Sequence, residues 1–255
     1  HQVILDFFLA SGSGILVTTP TPTATVNGYL FLKNAVFRVI QSSFGKDGEA
    51  GAYWRELISD KNRLQAVYVP RILDEVESRD KTAAQKCRER LKSLQPRLIL
   101  NMVEDPKDAE KAGRVRRSCR QYLGIDPVHL GIIYRDDMQD VALSSRLPIV
   151  RYKPNGVLAQ AIYRIADKIV QLGSQTDTPL DMESVDDSYD VAGNEAEGDF
   201  ESKMSYIEEL LHTGALTTGD LVETIKSQHH EINQLRKQNR LYKAKIAGAL
   251  KQGFL

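Results

Sequence analysis

The chain lacks the features that would tie it to a bilayer, a disulfide framework or a zinc site. Its 255 residues include two cysteines, and no apolar run reaches the ~18 residues that a transmembrane helix needs. Cys87 and Cys119 lie in charged, helix-favouring stretches without C-x-x-C or His-rich spacing. We therefore expect free thiols in a reducing cytosol, and a soluble protein with one to two domains.

Common catalytic motifs are also absent. The sequence contains no G-x-x-x-x-G-K-[ST], G-x-G-x-x-G, G-x-S-x-G or H-E-x-x-H. The segment GKDGEAG at residues 45–51 has glycines and a lysine in the wrong order for a phosphate loop, and is better interpreted as a surface loop. On motifs alone we assign no catalytic residue to this chain.

Net charge is zero only by cancellation between regions. Residues 171–202 contain ten acidic residues and no basic one, whereas residues 1–170 contain 26 basic and 19 acidic residues. The acidic region has few apolar residues, a proline and scattered glycines, a composition typical of a disordered linker. The charge pattern predicts a domain at 1–172, an acidic disordered linker at 173–202 and a helical tail at 203–255.

Within the first region, short apolar runs alternate with helical patterns. Strands are predicted at 14–19, 97–103 and 129–134, because each is an apolar run bounded by turn residues. Helices are predicted at about 24–40, with Thr21, Pro22 and Thr23 as cap and first-turn residues, and in 53–94 with a break around Pro70. Further helices are predicted at 106–123, 136–145 and 155–172, while 147–152 is predicted to be extended. This alternation predicts an α/β domain with a parallel sheet. Three strands are few for such a sheet, so we expect further strands before His1.

The tail is predicted to contain a short helix at 204–211 and a long helix at 218–251 with Asp220 in its first turn. The long helix fits a heptad pattern with Ile225, Ile232, Asn239 and Ile246 at position a, and Leu221, Gln228, Leu235, Tyr242 and Ala249 at position d. The pattern favours a coiled coil, in which Asn239 would fix a parallel two-stranded register, and predicts a homodimer or a protein partner. A helix that packs back on the domain is the alternative.

Three short motifs along residues 1–170 occur in the order in which a known protein family has them. LVTTPTPTATVNGYLFLK at 16–33 begins within the first predicted strand, PRLILN at 96–101 contains most of the second, and YLGIDPVHLGIIYRDD at 122–137 contains the third. Together they resemble the C-terminal part of the MinD/ParA family of deviant Walker P-loop ATPases, in particular its FlhG-like, flagellar-number branch. The matching residues of the first motif are Thr18, Thr19, Pro20, Pro22, Thr23, Tyr29 and Lys33, with Thr21 where the family usually has Glu.

The resemblance implies a P-loop NTPase domain whose phosphate loop, K-G-G-x-G-K-T, and magnesium-binding aspartates would precede His1. ATP and Mg²⁺ are the cofactors implied for the full-length family, whose members dimerise around ATP and position flagella, septa or chromosomes. This chain would hold the adenine side of the site and be inactive alone, because phosphoryl transfer depends on positioning and charge neutralisation. Without the preceding strands, we also expect an exposed apolar sheet edge.

The resemblance also implies four nucleotide-binding residues. Asn101, at the end of the second strand, corresponds to the family Asn that meets adenine; its alternative role is to cap the turn into 104–106. Tyr134, Arg135 and Asp136 correspond to the segment that lines the adenine pocket, with Tyr134 in place of the family Pro. Asp136 has an alternative role as a helix N-cap.

Two basic regions leave the choice of partner open. The helix predicted at 106–123 carries Lys107, Lys111, Arg114, Arg116, Arg117 and Arg120. These residues form a solvated face or a surface for DNA or lipid headgroups, with DNA the less favoured. KAKIAGALKQGFL at the C-terminus resembles the amphipathic membrane anchor of MinD-type proteins, so a cytoplasmic protein in peripheral contact with the inner face of the membrane is an alternative. The competing function is a non-enzymatic interaction protein whose domain is a platform for the coiled coil.

Overall fold

The computed structural model describes residues 2–11, 14–45, 48–60, 68–174 and 180–251. The chain divides into two compact units, His1–Phe200 and Glu201–Leu255. The elements are α1 (Gln2–Ala10), β1 (Ile15–Thr18), α2 (Pro22–Phe44), α3 (Glu49–Ser59), α4 (Val69–Glu77), α5 (Lys81–Ser93), β2 (Arg97–Val103), α6 (Glu110–Ser118), β3 (Val128–Tyr134), α7 (Met138–Ser144), α8 (Ile149–Tyr152), α9 (Val157–Ser174), α10 (Met182–His212) and α11 (Thr218–Lys251). A 3₁₀ turn, Pro106–Ala109, precedes α6, and a π turn, Cys119–Leu123, follows it.

The three strands form one parallel sheet in the order β1-β2-β3. Ile15 lies opposite Arg97, and Arg97 lies opposite Val128. The α/β class with a parallel sheet and the three predicted strands are therefore confirmed. Because the strands are parallel, their carboxyl ends meet at one edge of the sheet, where Thr18, Val103 and Tyr134 end the strands.

Helix α2 begins at Pro22, two residues before the predicted start, and has the predicted cap. Thr21 Oγ1 accepts a hydrogen bond from Ala24 N at 3.3 Å, and Pro22 stands in the first turn, where its missing N–H costs nothing. Leu32, Val36 and Ile40 form the buried stripe that joins the main apolar core. The T-T-P-T-P-T segment, residues 18–23, joins the carboxyl end of β1 to the first turn of α2.

The two faces of the sheet are covered unequally. Helix α9 places Ile165 against Ile99 and Leu130 on one face. On the edge strand β1, Ile15 and Val17 are exposed, with Val17 at 56% of its full accessibility. In the described part of the chain, β1 thus exposes apolar side chains on the face that α9 covers at the other two strands.

The prediction of an extended linker over 173–202 is wrong where the structure describes that region. Residues 182–212 form a single helix, α10, and the first unit extends to Phe200 rather than ending at 172. Val185, Ala192 and Ala196 recur at helical spacing and are buried. Three of the acidic side chains form ion pairs with basic side chains from elsewhere in the first unit, which offsets part of the charge of the segment. Residues 175–179 lie outside the described part of the chain.

Three smaller predictions have different outcomes. Residues 147–152 are not extended, because Tyr152 N donates to Pro148 O at 2.9 Å and closes the single turn of α8. The break predicted around Pro70 is confirmed, since α3 ends at Ser59 and α4 begins at Val69 with Pro70 in its first turn. The helix predicted at 218–251 is confirmed with Asp220 in its first turn, whereas the coiled coil stays a prediction. Among the described helices, none combines the length and apolarity needed to cross a membrane.

Gly131 on β3 lets helix α9 approach the sheet. A Cβ atom at this position would lie 2.9 Å from Ile165 Cγ1, inside the packed core. Gly131→Ala should therefore lower the free energy of unfolding by about 1–3 kcal/mol through overpacking. In the matched control, Gly113→Ala in α6, the new Cβ would meet nothing within 4 Å, and helix propensity should raise stability by about 0.5–1 kcal/mol. Urea unfolding measures whether the two substitutions change the free energy of unfolding in opposite directions. A change in the same direction for both would contradict this packing.

Candidate functional site

The carboxyl edge of the sheet is where an open parallel sheet binds ligands, since the loops leaving the strands enclose a crevice there. The sequence-predicted residues lie on two neighbouring strands at this edge. In the register of β2 and β3, Asn101 lies opposite Ile133 and Val103 lies opposite Tyr134. Arg135 and Asp136 follow directly. The structure therefore brings all four predicted residues to the same end of adjacent strands.

Asn101 occupies an unusual position near the end of the central strand. Its side chain is half-buried, and Oδ1 accepts a hydrogen bond from Met102 N at 2.8 Å. Met102 has a left-handed backbone with φ of 58°, at an irregularity in the register between Asn101 and Val103. Such a conformation in a residue other than glycine costs about 1–3 kcal/mol and is concentrated at functional sites.

The amide nitrogen of Asn101 is left for another acceptor, since no hydrogen bond from Nδ2 occurs in the part of the chain that the structure describes. The turn into 104–106 is capped by a different residue. Asp105 Oδ1 accepts from Lys107 N at 2.9 Å, which is the role that the alternative interpretation gives to Asn101. The side chain of Asn101 therefore holds the strained Met102 peptide through its oxygen and retains its donors.

Tyr134 is buried beneath helix α10. Its hydroxyl donates to Ala196 O at 3.0 Å, and its ring centroid lies 6.2 Å from that of Phe200. Burial, together with the charge of Asp199, raises the pKa of Tyr134 to about 12, so the hydroxyl remains a donor at neutral pH. The side chain joins α10 to the sheet rather than lining an open crevice.

Arg135 and Asp136 lie at the start of the loop after β3. Arg135 is exposed, and its Nη1 lies 3.3 Å from Glu104 Oε1. Asp136 Oδ1 accepts from Met138 N at 2.9 Å. The N-cap position of α7 is occupied by Asp137, so Asp136 is not the helix N-cap of the alternative interpretation; its carboxylate instead holds the turn directly before the helix.

A groove of about 290 Å³ lies between the start of α2 and α6, beside the same edge. Pro20, Pro22 and Tyr29 form part of its apolar wall, and Lys111 and Arg114 contribute its positive charge. Lys111 Nζ lies 2.6 Å from Asp108 Oδ1, and Arg114 lies 3.8 Å from Glu110, so both charges are partly neutralised. Sequence reasoning identified both segments but had no signal that they face each other.

The basic helix has a structural role that its sequence did not reveal. Arg116 donates to both carboxylate oxygens of Asp126 at 2.6 and 3.0 Å, lies 2.6 Å from Asp186 Oδ1, and places its guanidinium 4.7 Å from the Tyr189 ring centroid. The bond to Asp126 is the main cause that raises the pKa of Arg116, so it remains charged. Part of the basic surface considered for DNA or lipid is therefore used within the protein.

Helix α10 covers the outer edge of β3. His129 N donates to Ser188 Oγ at 3.1 Å, and the Tyr189 hydroxyl donates to Pro127 O at 3.0 Å. Lys168 pairs with Glu195 at 2.7 Å, and Arg164 pairs with Asp199. The two hydrogen bonds satisfy backbone groups at the edge of β3, and the two ion pairs join α10 to α9. The sequence signal that could have identified this helix is the apolar spacing of Val185, Ala192 and Ala196.

The described residues offer few other groups for a metal site or a reactive thiol. They contain no group of three or more His, Cys, Asp and Glu side chains arranged to hold a metal ion. Cys87 and Cys119 are free and buried, and burial raises their pKa values to about 11 and about 12, so both are protonated at neutral pH. No protein-family model matches the chain, and no curated protein matches it.

Proposed function

We propose that this chain forms the base-binding side of an adenine-nucleotide domain of the MinD/ParA type, in the FlhG-like branch of P-loop ATPases. The observation that carries the proposal is Asn101, a half-buried amide with free donors, next to a strained residue at the carboxyl end of the central parallel strand. The order of the T-T-P-T-P-T, PRLILN and YLGIDPVHLGIIYRDD segments supports the same assignment.

The side chains at this edge suit a purine base. Because Oδ1 of Asn101 is engaged by Met102 N, Nδ2 would donate to a ring nitrogen of adenine. The exposed guanidinium of Arg135 can stack on a planar ring while it keeps its contact with Glu104. Tyr134 would support this site indirectly, by fixing β3 against α10.

The residues present fit the base but not the phosphates. These 255 residues contain no K-G-G-x-G-K-T segment, and the described residues contain no cluster for Mg²⁺. In the family, ATP hydrolysis depends on the phosphate loop and on Mg²⁺ ligands, so we derive no hydrolytic step for this chain. In the full-length protein we propose ATP-dependent dimerisation that positions flagella, a septum or a chromosome in the cytoplasm, with peripheral contact at the inner face of the membrane.

The second candidate is a non-enzymatic interaction protein, favoured by the exposed apolar residues along α11. In that case the domain is a platform for the tail and binds no nucleotide. The two functions therefore differ in whether the carboxyl edge of the sheet recognises adenine.

The test is titration of the chain with adenosine, ATP and guanosine, followed by NMR. We expect adenosine and ATP to bind with similar, weak affinity and guanosine to bind less well. Asn101→Asp keeps the oxygen that accepts from Met102 N but replaces the amide donor, so adenosine affinity should fall by roughly tenfold or more. The fold should persist, because the local hydrogen bond remains.

Asn155→Asp is the matched control, since Asn155 is exposed in the turn before α9. It should bind adenosine as the wild type does. Equal binding of adenosine and guanosine, or no effect of Asn101→Asp, would refute the adenine site. A complete lack of binding would favour the interaction protein instead.

A further inference from the structure

Helix α11 presents an apolar seam that nothing in the described part of its unit covers. It is 34 residues long, and Ile225, Ile232, Leu235, Tyr242 and Ile246 are each between 45% and 62% exposed. These residues occupy a and d positions of one heptad frame, so they lie along one narrow stripe. Of the seven large apolar side chains that the structure describes as exposed on α11, these five lie on the stripe, and Val222 and Leu241 lie outside it. Two apolar positions per heptad are typical of a coiled-coil seam, whereas a helix that lies on a membrane or a core has a wider apolar face.

We propose that this seam binds the α11 helix of a second copy of the chain as a parallel, in-register, two-stranded coiled coil. Asn239 occupies an a position in the middle of the seam. In a parallel dimer the two Asn239 side chains meet and hydrogen-bond to each other, whereas other registers leave a buried amide against an apolar neighbour. Asn239 at an a position and Gln228 at a d position thus both favour an in-register pair of identical helices, in which each amide meets its counterpart.

The charges beside the seam support the same partner. Glu231 is at position g, and Ser227, Gln228, Gln234 and Leu235, its neighbours three and four residues away, are all uncharged. Arg236, at the following e position, likewise has no acidic neighbour at these spacings. In a parallel dimer Glu231 of each helix faces Arg236 of the other, which gives two symmetric ion pairs.

Cysteine cross-linking of the full chain tests the alignment. Asn239→Cys places two thiols face to face across the seam, so mild oxidation should give a covalent dimer. Lys237→Cys, at the outward f position, is the control and should stay unlinked. Cys87 and Cys119 are buried, and we expect them to leave the background low. Equal cross-linking of both variants, or of neither, would overturn the proposal.

A charge exchange tests the pairing independently of any cross-link. Glu231→Arg should weaken the dimer by about tenfold in sedimentation equilibrium, because both ion pairs become repulsive. The double variant Glu231→Arg, Arg236→Glu should restore it. A wild-type monomer at all concentrations, a dimer insensitive to these changes, or a monomer that sediments only with phosphatidylglycerol vesicles would each contradict the coiled coil. Because nucleotide is absent from both assays, their outcome is separate from that of the adenine site.

Discussion

Arg116→Ala should lower the free energy of unfolding by about 3 kcal/mol and release helix α10 from the sheet. The Arg116 side chain is only 12% exposed and contacts three groups, namely Asp126, Asp186 and the ring of Tyr189. Removing the guanidinium leaves the carboxylate of Asp126, which is 22% exposed, without its bidentate partner. Loss of one member of a buried pair is costly because the remaining charge stays desolvated.

Urea unfolding measures the loss of stability, and limited proteolysis of residues 182–200 measures the release of α10. Arg116→Lys should be intermediate, since it retains the charge but cannot form the planar, two-bond contact. Arg117→Ala removes an adjacent, exposed guanidinium and should change stability by no more than about 0.5 kcal/mol. If Arg116→Ala and Arg117→Ala behave alike, the contact does not anchor α10.

The ion pairs of α10 show why the sequence wrongly predicted an extended linker at residues 182–202. Composition describes a segment by its own residues, and this one has ten acids in and around it with no base. The basic residues that pair with Asp186, Glu195 and Asp199 are distant in sequence, at positions 116, 168 and 164 respectively. Gly193 and Gly198 further lower the local helix propensity, by about 1 kcal/mol each relative to alanine. Tertiary packing overrides these local signals. A prediction made from the residues of the segment alone cannot include its contacts with distant residues.

Predictions with local causes were more successful. The strands, the Thr21 cap and the start of α11 depend on residues within a few positions, and the structure has all of them. At the carboxyl edge, the sequence located Asn101 and Tyr134 at strand ends. It could not predict that Met102 adopts a left-handed backbone or that Ala196 covers the Tyr134 hydroxyl, because both depend on register and on long-range packing.

Acidification should destabilise the protein through His129. This side chain is 3% exposed, and neither ring nitrogen has a hydrogen-bond partner within the described residues. Its ring centroid lies 4.9 Å from that of Tyr189 on α10. Burial lowers the pKa of His129 to about 4, and the positive charge of Lys168 acts in the same direction.

The direction of the change in stability with pH follows from the protonation of His129 in the folded and unfolded states. Above the unfolded pKa, about 6.5, His129 is neutral in both states and does not make stability depend on pH. Between pH 6.5 and about 4 the unfolded chain binds a proton that the folded protein does not, so stability falls as pH falls. The loss should approach about 3 kcal/mol near pH 4.

Urea unfolding at neutral and acidic pH compares the wild type with His129→Leu. The variant should be more stable by about 1 kcal/mol at neutral pH, because two unpaired polar atoms leave the core. It should also lose less stability on acidification. His212→Gln, an exposed control at the end of α10, should follow the wild type.

Parallel losses in the wild type and His129→Leu would instead assign the acid sensitivity to the carboxylates of α10. Both kinds of group take up protons on acidification, so the direction of the pH dependence alone does not separate them. The histidine substitution does, because it should remove the component of the loss that begins near the unfolded pKa of histidine, about 6.5.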